Sequence, residues 1–97
     1  MRTIKELRKN CYGKLHVFCK DEATARKFLE EAEREGFMFG EYKPTTRSIS
    51  SLYAVETENS LAHVGAIGRM AFQSGAAIRV DYSKYINGED EYIIYRL

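Results

Sequence analysis

Residues 17–37, VFCKDEATARKFLEEAEREGF, change their apolar period part-way along, and that change decides the fold class. The run LHVFCK (15–20) that leads into them alternates and is rich in strand formers. Asp21 then offers a helix N-cap, with Glu22 in the first turn, where the helix dipole favours negative charge. Ala25, Phe28, Leu29 and Ala32 follow the i, i+3, i+4, i+7 spacing of a buried helical stripe, and Gly36 stands where that helix should end. Glu22 with Arg26 and Glu30 with Arg34 fall at i,i+4 on the solvated side. The stretch therefore predicts a strand followed by one long helix over about 21–35.

Working outward, FMF (37–39) resumes an extended run, and GEYKPTTRS (40–48) breaks it, because Pro44 disfavours helical geometry at Lys43. ISSLYAVE (49–56) and SLAHVGAI (60–67) flank the polar turn Thr57-Glu58-Asn59 and predict a hairpin. GRMAFQSG (68–75) has room for one helical turn. AIRVDY (77–82) reads as a strand, SKYINGED (83–90) as a loop and EYIIYR (91–96) as a last strand. A long helix has to bury its stripe against a sheet face. The expected architecture is thus α+β: a compact two-layer sandwich, with an antiparallel or mixed sheet and the helix on one face. One domain spans 1–97, with residues 1–13 as a basic N-terminal arm or short helix and 14–97 as the core. In the arm, Ile4, Leu7 and Cys11 lie at helical spacing.

Composition narrows the function classes. The net charge of +1 supplies no broad positive field for a long nucleic acid. No apolar run approaches the roughly 20 residues of a membrane span. Two cysteines and no export signal point to a reducing, cytoplasmic setting. Charge is nevertheless uneven: Arg2, Lys5, Arg8, Lys9 and Lys14 meet only Glu6 in the first fourteen residues, and Glu89, Asp90 and Glu91 cluster near the end.

Catalytic constellations are not visible. Cys11, Cys19, His16 and His63 lack the paired spacing of a zinc site, and His16 and Cys19 fall on opposite faces of a strand. Cys19 shares its face with Leu15 and Val17 and reads as core. Cys11 has basic neighbours that lower a thiol pKa, but no positioned base. Neither a metal, a cofactor nor a catalytic residue is expected, and no enzyme activity. An RNA-directed enzyme built on His63, Tyr82 and Arg79 is a weaker alternative.

Two segments suit ligand capture. In VGAIGRMAFQSG (64–75) the glycines, Gly65 and Gly68, let backbone N–H groups approach an anion, Gly68-Arg69 would start a helical turn, and Phe72 offers a stacking face. The competing reading is a packed corner, with Met70 and Phe72 in the core. The second is the loop Gly40–Ser48, in which Lys43, Thr45, Thr46 and Arg47 gather donors beside Tyr42. Arg79 and Tyr82 complete the candidate ligand-binding set.

VFCKDEATARKFLEEAEREGF, KPTTR, VGAIGRMAF and RVDY together resemble small proteins of Firmicutes phages and prophages, over nearly the whole chain from Leu15. The shared features are packing and turn signatures. The resemblance implies a counter-defence setting in a bacterial cytoplasm. By that setting, the expected function is a non-catalytic, homo-oligomeric binder that sequesters a phosphorylated nucleotide immune signal, of cyclic dinucleotide or cyclic ADP-ribose type. The alternative is an inhibitor that binds a host defence protein through tyrosines such as Tyr82, Tyr85, Tyr92 and Tyr95.

Overall fold

The computed structural model describes residues 2–95. A five-stranded mixed sheet, in the order β3-β2-β1-β4-β5, is combined with four α-helices. Central β1 (Lys14–Phe18) pairs antiparallel with β2 (Leu52–Val55) and parallel with β4 (Ala77–Asp81). β3 (Leu61–His63) and β5 (Ile93–Ile94) form the two edges.

The register assigns the faces. Leu15 aligns with Val55 and Ile78, and Val17 with Tyr53 and Val80, so these side chains share one face. Onto it packs α2 (Glu22–Arg34), burying Ala25, Phe28, Leu29 and Ala32. Phe28 stacks on Tyr53 at 5.1 Å and meets Tyr82 edge-on at 5.2 Å. Asp21 caps α2 by accepting from the Thr24 amide at 2.8 Å. At the far end Gly36 takes φ +90°, which lets its own amide reach Glu33 O and the Phe37 amide reach Ala32 O. Of the two expected surface pairs, Glu22–Arg26 forms, whereas Arg34 turns to Glu31 at 2.6 Å instead of Glu30.

Three helices of seven or more residues occur where the sequence predicts one long helix. α1 (Ile4–Asn10) buries Ile4 and Leu7 in the core and is not a loose arm. It is tied down by the Glu35 carboxylate, which accepts from the Ile4 and Lys5 amides at 2.9 Å each, and by Tyr85, whose hydroxyl donates to Thr3 O at 2.7 Å. α3 (Ala66–Gln73) runs for two turns, not one, and α4 (Tyr82–Ile86) replaces part of the expected loop at 83–90. The FMF run forms only isolated bridges, Met38 with Ser60 and Phe39 with Tyr42. Thr57–Asn59 does turn the hairpin between β2 and β3. The last strand is reduced to Ile93–Ile94, and Arg96 of the predicted strand lies outside the described residues.

Truncating Leu7 to alanine should cost about 2–5 kcal/mol of unfolding free energy, as for other buried leucines. Urea denaturation measures it; a loss under about 0.5 kcal/mol would place α1 outside the core.

Candidate functional site

His16, Ala54 and Ala62 align side by side on the second face of the sheet, with Arg79 beside His16 on β4. The alanines are small, so the face is hollow there. α3 packs against β4 across this face. The result is a cleft of about 480 Å³, within the range of small-molecule sites. Its lining includes Lys14, His16, Ala54, Ala62, Gly65 and Gly68.

The glycines explain how α3 reaches this position. A Cβ built on Gly68 would lie 2.8 Å from Val64 Cγ1, 3.4 Å from His16 Cε1 and 3.7 Å from His16 Nε2. Gly68 thus lets the first turn of α3 sit directly over the imidazole. Its value is steric, since its φ is not positive. Gly65 is the N-cap and provides no side-chain cap, and the first helical bond runs from the Arg69 amide to Gly65 O. The amides of Ala66, Ile67 and Gly68 therefore begin the helix without an intrahelical acceptor.

Against Gly68, His16 is 4% exposed, and its Nδ1 is buried without a hydrogen-bond partner. Burial, then the charges of Arg79 and Lys14, hold its pKa below the ordinary 6.5. The Arg79 Nε is likewise buried and unpartnered, and its guanidinium lies 3.9 Å over the Phe72 ring. Burial and the neighbouring charge of Arg69 lower the pKa of Arg79. His16 Nδ1 and Arg79 Nε are the two such atoms among the described residues, and they belong to paired neighbours. Arg8 also borders the cleft, but its guanidinium is committed to Val55 O, Cys11 O and Gly13 O at 2.6–2.7 Å. It holds the entry to β1 in place.

The predicted ligand residues split into separate places. Arg69, Phe72 and Arg79 come together at α3 and β4. Phe72 and Met70 are not core: Phe72 is half-buried and Met70 is 65% exposed. Arg79 is half-buried, with its guanidinium on the Phe72 ring of α3. Lys43, Thr45, Thr46 and Arg47 lie elsewhere, around a 3₁₀ turn (Pro44–Thr46) packed on α2. Their donors are largely consumed locally. Thr45 gives its hydroxyl and amide to Glu33, Thr46 donates to Lys43 O, and Arg47 covers the Tyr42 ring at 4.7 Å. Tyr82 is buried in the helix-side core, where burial and then Glu31 and Glu35 push its phenol pKa up. Tyr85 is also buried, and Tyr92 packs on it at 5.1 Å, which leaves Tyr95 as the exposed member of the proposed tyrosine surface.

His63 stacks on Phe39 and meets Tyr53 at a tilt, on the opposite face from Arg79, so His63, Tyr82 and Arg79 do not assemble. Burial raises the Cys11 thiol despite Arg8, and carries Cys19 to about 12, with Asp81 and Asp21 adding to it. No group of three metal-ligating side chains gathers among the described residues. His16 and Lys14 were not among the predicted ligand residues. The alternation of LHVFCK, extended one residue back to Lys14, was the signal that could have found them, because it sends both to the face opposite Leu15 and Val17.

No family model, curated protein or solved structure matches this chain. The functional reading rests on the geometry.

Two outcomes test this geometry. Gly68→Ala should cost about 1–3 kcal/mol by overpacking against Val64 and His16, read by urea denaturation. Because the folded His16 pKa lies below its unfolded 6.5, the unfolded chain binds more protons between the two values. Stability should therefore fall as pH drops below about 6.5 and level off below the folded pKa. His16→Gln should remove that component from the melting temperature measured between pH 7.5 and 5; identical pH profiles for the two proteins would refute it.

Proposed function

We propose that the protein is a non-catalytic binder of a phosphorylated nucleotide-type small molecule, held with its phosphate at the N-terminus of α3. The observation that carries this reading is His16: a buried imidazole with an unpartnered nitrogen, in the lining of a cleft that also includes Gly65 and Gly68 at the uncapped start of α3. Unsatisfied buried polar atoms cost about 1–3 kcal/mol each, and a bound anion would relieve such a cost. Helix N-termini favour anions through their free amides and dipole. Lys14 adds a cation on the same face, and Glu56 is the acidic lining residue.

In this reading the sheet with α1, α2 and α4 is a two-layer sandwich scaffold, and α3 is the addition that builds the site. Sequestration of a nucleotide signal fits a cleft whose lining, among the described residues, includes no serine, threonine or cysteine. Among the described residues no helix is long and apolar enough to cross a membrane. Ile67 and Met70, at 79% and 65% exposure on the outer side of α3, are the surface that a homo-oligomer or a host protein would cover.

Calorimetry against AMP, ADP-ribose and cyclic di-AMP tests the proposal, and absence of heat with all three would overturn it. Lys14→Ala should weaken binding more than tenfold, the worth of a charge-assisted contact of about 1.5–3 kcal/mol. Lys43→Ala and Arg47→Ala should leave it unchanged.

A further inference from the structure

Positive groups outnumber acidic ones around the cleft: Lys14 and Arg8 line it, Arg79 stands beside His16, and Glu56 is the acidic lining residue. The amides of Ala66, Ile67 and Gly68 open α3 without intrahelical acceptors, and of these residues Gly68 lines the cleft. The His16 ring lies under Gly68, and Lys14 stands two residues before it on the same face. A phosphodiester presents two non-bridging oxygens and one negative charge, and both of its ester arms must leave the pocket. A terminal phosphomonoester presents three oxygens, has one arm, and carries close to two charges near neutral pH.

We propose that the cleft takes a terminal phosphomonoester as its dianion, and that His16 takes up one proton from solvent as the ligand binds. The inference rests on the nucleotide-binding reading above and narrows it to a ligand class. No bond of the ligand is made or broken. The proton goes to the imidazole, which then donates to the bound oxygens.

The groups around His16 set the direction of this linkage. Lys14 on its own strand, Arg79 from β4 and Arg69 on α3 are cationic. Arg8 is cationic too, with its guanidinium held on three backbone carbonyls. Ala54 on β2 and Ala62 on β3 carry no charge, Glu56 borders the same cleft, and Asp81 lies two residues beyond Arg79 on the same face. Burial and the cations keep the free imidazole neutral at pH 7. A dianion beside it reverses that balance, because nearby negative charge favours the imidazolium. Between the free and bound pKa values affinity should fall by about tenfold per pH unit as pH rises.

The test uses the full chain and titrates AMP, ADP-ribose and cyclic di-AMP at pH 7.5 in two buffers of different ionisation enthalpy. The expected result is AMP bound about tenfold or more tightly than either diester, with uptake of about one proton. His16→Gln should bind AMP more weakly and lose the buffer dependence while keeping its circular dichroism spectrum. AMP binding without proton uptake, or tighter binding of cyclic di-AMP or ADP-ribose, overturns this inference and leaves nucleotide binding standing. No heat with any probe overturns both. If the variant does not fold, ¹³C-histidine NMR of the native protein decides: a His16 pKa that rises on adding AMP supports the proposal, and an unmoved one overturns it.

Discussion

Strand β1 is hydrogen-bonded on both sides, and the strict alternation of its side chains creates two unlike faces from five residues. Leu15 and Val17 meet the aromatic layer of Phe28, Tyr53 and Tyr82, where shape and apolar area stabilise the fold. Lys14 and His16 fall on the other face. A one-residue slip of register would exchange the two sets, placing an imidazole against Phe28 and a leucine under α3. The core and the cleft therefore depend on the same pairing.

The second face is polar where most buried surfaces are not. Its small residues, Ala54 and Ala62, leave a hollow that larger side chains would fill. Its basic side chains, Lys14, His16, Arg79 and Arg69, have no carboxylate bonded to them among the described residues. The contrast with the helix side is sharp. There the Glu35 carboxylate meets two free amides of α1, and Arg34 meets Glu31. Free amides at the start of α3 meet nothing comparable. The molecule thus satisfies one helix N-terminus internally and leaves another open above a buried histidine. A protein-derived carboxylate fills the first, and an external anion suits the second.

The candidate site was legible in fragments. Gly65, Gly68 and Arg69 stood out because glycines ahead of an arginine suit an anion at a helix start, but α3 begins at Ala66, with Gly65 as its N-cap and Gly68 and Arg69 already inside it. Gly68 matters for a reason that composition does not reveal, the approach of a helix to a histidine fifty-two residues earlier in the chain. The Lys43–Arg47 loop looked as promising, since donors were dense and acids few. Glu33 lies ten or more residues away in sequence, yet it takes the Thr45 donors, and Tyr42 takes the face of Arg47. Tyr82 misled likewise, because an aromatic at a strand end reads as surface until α2 is laid across it.

By itself the sequence determined a strand over Leu15–Phe18 (the predicted run to Lys20 ends at Phe18), the capped helix with its apolar stripe, the β2–β3 hairpin and the α+β class. These are local properties: period, caps and turn residues act within a few positions of one another. Tertiary structure alone decided the parallel pairing of β1 with β4, the docking of α1, the second turn of α3 and the meeting of His16 with Gly68. Each joins residues far apart in the chain, and each depends on which face a neighbouring element has already occupied. Local periodicity can say that His16 points away from the core. Only the assembled sheet says that it points beneath an open helix end.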